Sequence, residues 1–109
     1  MDFKKLIAYQ KAFDLALSIF EISKSFPKEE TYSLTDQIRR SSRSVNANLA
    51  DAYRKRRRPK HFISKLTDAD GENSETSTWL DFAFACKYIS NEQHISLSNQ
   101  GIEVGKLIN

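Results

Sequence analysis

Apolar residues return every three or four positions in four stretches of the chain, and each stretch predicts a helix. The first is read from about Asp2 to Ser25, with Asp2 capping its amino end. One apolar row there is Leu6, Tyr9, Phe13, Leu17 and Phe20, and a second is Ala8, Ala12, Leu15, Ile19 and Ile22. Two rows make a face broader than a simple stripe, and such a helix needs neighbours on more than one side. At about 1.5 Å per residue it would span roughly 35 Å. Pro27 stops it, and Lys28-Glu29-Glu30 forms a charged turn.

The second helix is read from Leu34 to about Tyr53, with Ser33 and Asp36 resembling a capping box. Leu34, Ile38, Val45, Leu49 and Ala52 fall within one arc at 100° per residue, which is its core face. Arg39, Arg43, Ala50 and Arg54 share the far arc, with Arg40 close beside them. Pro59 suits the first turn of a third helix reaching to about Tyr88. Phe62, Leu66, Ala69, Leu80 and Ala83 keep its period, but Thr67 to Thr78 is otherwise polar and contains Gly71. Local preference is poor there, so tertiary packing must hold that stretch in a helix. The fourth helix begins after Ser90, where Gln93 completes a capping box, and Ile95, Ile102 and Leu107 support it weakly. Four such helices with short connections predict an all-α fold, an antiparallel up-down bundle forming a single domain over residues 1–109. The surplus apolar width of the first helix points to self-association.

Composition narrows the picture. Three glycines and two prolines in 109 residues are too few for a barrel or sandwich of many short strands, and 39% hydrophobic residues are too many for disorder. No apolar run approaches the roughly 18 residues that cross a bilayer, and no signal peptide is read at the start. A lone cysteine, Cys86, cannot form an internal disulfide, so the expected setting is a cytoplasm.

Charge changes the picture more. The net charge of +3 hides a segment, Gln37 to Lys65, in which ten basic residues face only Asp51 and the local charge is +9. The remaining residues sum to −6. Within the segment, Arg54, Lys55, Arg56, Arg57, Arg58 and Lys60 crowd around Pro59. Guanidinium groups grip phosphates in pairs, and each neutralised phosphate releases counterions. One or two cations at a helix carboxyl end would stabilise its dipole; five in a row exceed that role. Arg39, Arg43 and this run are therefore the candidate nucleic-acid contacts. A solvated surface or an acidic protein partner is an equally open reading.

At this point the residues resemble a known family, the four-helix-bundle proteins encoded by intervening sequences within bacterial 23S ribosomal RNA genes. The resemblance rests on ordered blocks covering nearly the whole chain. These are Tyr9-Gln10-Lys11-Ala12, Phe26-Pro27-Lys28-Glu29-Glu30, and Tyr32-Ser33-Leu34-Thr35-Asp36-Gln37-Ile38-Arg39-Arg40. Ser44 to Ala52 and Lys60-His61-Phe62-Ile63 follow, with Asp51 in place of the usual glutamate and Ala52 in place of the usual glycine. The resemblance implies an up-down bundle assembled as a homopentamer, with no established enzymatic activity. More distantly, it extends to the accessory proteins of diversity-generating retroelements, similar pentamers that bind nucleic acid, from which only the idea of a basic ring is taken.

Arg39, Arg40, Arg43, Asn48 and Asp51 match the family's polar set on the second helix. The role expected first is a hydrogen-bonded network linking helices or subunits, with Asp51 paired to an arginine and direct ligand binding as the alternative. Asp68, Asp70, Glu72 and Glu75 start like a calcium loop, but the glycine falls fourth rather than sixth and no acid closes at the twelfth place. Pairing with basic residues of a neighbour is the preferred reading. His61 and His94 stand apart in sequence, and Cys86 is expected to be a small buried core residue. Trp79, Phe82, Phe84 and Tyr88 read as core or interface. No zinc spacing, phosphate-cradling glycine loop or nucleophile triad occurs, so no metal, cofactor, catalysis or small-molecule substrate is expected. The expected partners are further copies of the chain and RNA or DNA.

Overall fold

The computed structural model describes Phe3 and residues 6–109. Four helices follow in order: α1 (Ile7–Ser23), α2 (Leu34–Arg54), α3 (Pro59–Ala85) and α4 (Asn91–Ile108), with a 3-10 turn at Lys28–Glu30 between the first two. Among the described residues there is no strand. The helices enclose one core in a body of 44 × 25 × 19 Å. The helix backbones approach one another in cyclic order, α1 to α2, α2 to α3, α3 to α4 and α4 back to α1, and the side chains of all four meet in the core between them.

The core takes one row from each helix. Ala12, Leu15 and Ile19 come from α1; Leu34, Ile38, Val45 and Leu49 from α2; Ala69, Leu80 and Ala83 from α3; Leu97 and Val104 from α4. The expected face of α2 is buried throughout. On α1 only the second row is interior, with Phe13 and Leu17 exposed. On α4 the residues that marked the helix, Ile95, Ile102 and Leu107, also face outward, and Leu97 and Val104 fill the core instead.

Three boundaries differ from those read in the sequence. Helix α1 begins at Ile7 after Leu6 in extended backbone without a side-chain cap, so it measures about 25 Å. The expected cap Asp2 lies outside the described residues. Helix α3 ends at Ala85 because Lys87 turns left-handed, at φ 65°. The amides of Lys87 and Tyr88 then bond back to the carbonyls of Phe84 and Ala83, both at 2.9 Å, which satisfies two otherwise orphaned acceptors. Ser33 does not cap α2 through its own side chain. Glu30 does this work: its Oε1 accepts from Ser33 Oγ at 2.6 Å and from the Leu34 amide at 3.4 Å. By contrast, Ser90 and Gln93 form the expected reciprocal box at the start of α4.

The polar middle of α3 is held by its neighbours. Thr76 Oγ1 and Ser41 Oγ meet at 2.8 Å in the buried α2–α3 seam. Asn73 Nδ2 donates to the Gly101 carbonyl of α4 at 2.9 Å, and Ala69 is fully buried. Each contact satisfies or buries a group that α3 alone would leave to water.

Glu30 also joins the two connections at one end of the molecule, because Tyr88 OH donates to its Oε2 at 2.9 Å. The Ser33 and Tyr88 hydroxyls hold the Glu30 carboxyl below its ordinary range, and the Glu30 carboxylate pushes the Tyr88 phenol up to about 12. A phenol raised on folding favours the fold below its unfolded value near 10, and that contribution disappears as pH rises towards 12. Thermal melts of wild type and Tyr88→Phe should therefore diverge below pH 10 and converge towards pH 12. A wild-type advantage that persists unchanged across that window would contradict this linkage.

Candidate nucleic-acid interface

Basic residues collect where α2 ends and α3 begins. Arg58 donates its amide to the Lys55 carbonyl at 2.9 Å, and Pro59, which has no amide hydrogen to satisfy, opens α3. This tight turn forces Arg54, Lys55, Arg56, Arg57 and Arg58 around one open groove, with Asp51 on its wall.

The cations divide by what already holds them. Lys55 Nζ lies 3.2 Å from Asp51 Oδ2, and Lys65 of α3 reaches the same oxygen at 3.4 Å. These lysines, Lys55 foremost, keep the Asp51 carboxyl below its usual range. The expected arginine partner of Asp51 is thus replaced by two lysines, whose position one turn along α2 and across the seam gives them the shorter reach. Arg56 stacks on the Tyr53 ring, 4.2 Å from its centroid, and donates to the Tyr53 carbonyl. Arg54, Arg57, Arg58 and Lys60 are exposed and ion-paired to no carboxylate among the described residues.

The arginines of α2 point to different flanks. Arg40 Nη1 lies 3.3 Å from both Glu72 oxygens, and its Nη2 reaches Glu75 Oε1. That guanidinium keeps the Glu75 carboxyl below its ordinary range. Arg40 is therefore a clamp between α2 and α3, and Glu72 and Glu75 are engaged within their own chain. Arg39 and Arg43 lean the other way, their guanidinium carbons 4.7 and 5.4 Å from the Phe20 ring centroid of α1. Arg39 Nε also donates to Ser23 Oγ at 2.7 Å, whereas Arg43 is exposed and ion-paired to no carboxylate among the described residues.

The proposed polar set is hence split into separate arrangements. Arg40 and Asp51 each tie α2 to α3, but Asn48 Nδ2 donates only to the Ser44 carbonyl of its own helix. Asn46 does the bridging that was expected of Asn48, donating to the Tyr9 carbonyl of α1 at 2.9 Å. No group of acidic, histidine and cysteine side chains among the described residues is placed to hold a metal ion. Cys86 is exposed rather than buried, because it caps α3 after the core row has ended at Ala83. His94 stacks on Phe84 and lies 2.8 Å from Asp81 Oδ1, while His61 is exposed on α3. Phe82 and Phe84 are exposed, contrary to a core reading.

The sequence profile of the 23S rRNA-intervening sequence protein family matches residues 4–109. The chain belongs to that family. Its fold is similar to a crystal structure of a protein with unknown function from the S23 ribosomal protein family of Bacteroides thetaiotaomicron. The two share 31% identity at a TM-score of 0.85, over 99% of this chain and 95% of the other. No curated protein matches the chain. This family member thus shares its four-helix bundle with a relative that carries no assigned activity. No helix among its described residues is long and apolar enough to cross a membrane.

Proposed function

We propose that this family member is a non-catalytic, cytoplasmic, homo-oligomeric antiparallel bundle whose basic turn contacts RNA or DNA. The observation that carries the reading is the set Arg54, Arg57, Arg58 and Lys60, exposed on one turn and neutralised by no carboxylate among the described residues. Holding such like charges together costs free energy that a phosphate backbone would offset. The antiparallel order is supported by Asp51 pairing with Lys65, early in α3, while Arg40 pairs with Glu72 and Glu75 further along it. Self-association is supported by apolar side chains left outward on α1 and α4, Ile7, Phe13, Leu17, Ile95, Ile102 and Leu107, and the number five comes from the family resemblance alone.

A second reading is a protein-interaction scaffold, in which the same exposed arginines of the basic turn meet an acidic protein partner and the outward apolar side chains of α1 and α4 meet further copies. Arg40 is spent within its own chain on Glu72 and Glu75. Salt separates the two. Anisotropy titrations of a labelled RNA and DNA oligonucleotide should show affinity falling steeply between about 50 and 200 mM salt, with light scattering reporting a multimer. A multimer with no polyanion affinity at the lower salt would select the scaffold.

A further inference from the structure

We infer that the contact surface is a track along α2, running from Arg43 to the basic turn, that reads several consecutive phosphates of a nucleic-acid backbone without regard to base. This rests on the nucleic-acid reading above and adds its length, its path and its indifference to sequence.

Arg43 and Arg54 are eleven residues apart, three helical turns with only about 20° of offset, so both side chains start from one outward arc of α2, Arg43 leaning over Phe20 and Arg54 lining the groove of the basic turn. Between them that arc carries Ala47, which is exposed, and Ala50, which is half-buried. Two methyl groups let a strand lie close against the helix. The separation is about 16 Å along the axis, longer than the distance between neighbouring phosphates of a strand, so the track takes several phosphates rather than one. Phe20 stacks against Arg43 and restricts where its guanidinium can go. Arg54, Arg57 and Arg58 close the other end.

The remaining charges define the limits of the track. Arg40 and Lys55 are occupied by carboxylates and drop out as phosphate ligands. Asp51, which would repel a strand, is covered by Lys55 and Lys65. Asp36 is exposed two turns before Arg43 on the same arc and discourages a phosphate beyond it. The described rings beside the path, Phe20 under Arg39 and Arg43 and Tyr53 under Arg56, are each covered by a guanidinium group instead of being open for base stacking. Backbone contacts alone position a strand and carry no sequence information.

The test uses the full chain with homopolymer trinucleotides and dodecanucleotides of both RNA and DNA, titrated over a salt series. The dodecamers should show a steeper dependence of log affinity on log salt than the trinucleotides, alike for uridine and adenine sequences. Arg43→Gln should lower the dodecamer slope by about one unit, with about a tenfold loss near 50 mM salt, and leave the trinucleotide unchanged. Ala47→Glu, which alters no core residue and keeps a good helix former, should likewise weaken only the dodecamer. Equal slopes at both lengths, or dodecamer binding indifferent to both variants, would overturn the track while the nucleic-acid reading stood. A strong base preference would overturn its indifference to sequence. Absence of binding at every length would overturn both.

Discussion

Ile38→Ala should lower the stability of the fold by about 2–5 kcal/mol, the range observed when a large buried aliphatic side chain is cut to a methyl. Ile38 is fully buried, as are Ile19 and Leu80, and it sits in α2, which packs against both α1 and α3. Its removal takes away apolar contact and leaves space that surrounding helices fill only in part, because protein interiors are already close-packed. For a domain whose total stability is on the order of 5–15 kcal/mol, this is a large share. Ile38→Val keeps most of the volume and should cost about 0.5–1.5 kcal/mol. Urea unfolding of the three proteins measures both differences. A loss below about 1 kcal/mol for the alanine variant would mean that Ile38 does not anchor the core.

Replacing Arg54, Arg57 and Arg58 together with alanine should have the largest effect on binding. These residues are exposed and lack carboxylate partners among the described residues, so their loss breaks no ion pair and should leave the thermal melt nearly unchanged. If each neutralises one phosphate of a single-stranded probe, the salt slope should fall by about 2.1 units. The variant would then lose about 20-fold less affinity than wild type between about 50 and 200 mM salt. Arg56 stays in this variant because it is stacked on Tyr53 and bonded to that residue's carbonyl. A variant that binds RNA and DNA as wild type does, at low salt, would remove the basic turn from the interface.

The sequence made the four helices legible wherever an apolar row met a chemical stop. Pro59 and the Ser90–Gln93 box mark boundaries because their effect is local, whereas α1 ends at Ser23, before the stop expected at Pro27. Side-chain partners were less legible because they depend on the register between helices. Arg39, Arg40 and Arg43 are neighbours on a helical wheel, yet Arg40 turns towards α3 and the other two towards α1. Asp51 lies amid arginines in sequence and finds lysines in space. Periodicity also could not choose between two apolar rows on one helix. On α1 and α4 the choice is made by the facing helices, which cover Leu15 and Val104 and leave Phe13 and Ile102 in water. Glu30 as a cap was missed because the usual signal is a serine or aspartate at the boundary, and here the acid reaches forward from the preceding turn. The placement of Tyr88 over Glu30 joins residues 58 positions apart, which no local pattern encodes.

The cyclic order of the helices has a consequence for chain connectivity. Leu6 and Ile7 line the same apolar recess as Leu107 and Ile108, so both extremities of the described chain meet at one pole. A closed circle of four rods, each with its backbone beside two neighbours, has no privileged starting point. A short flexible bridge across that pole, with a new opening at the exposed Tyr32, would keep the order of the four rods around the core while renaming which comes first, at the expense of the local tie between Glu30 and the start of α2. Circular permutation of this kind would change the order of synthesis and keep the cyclic arrangement.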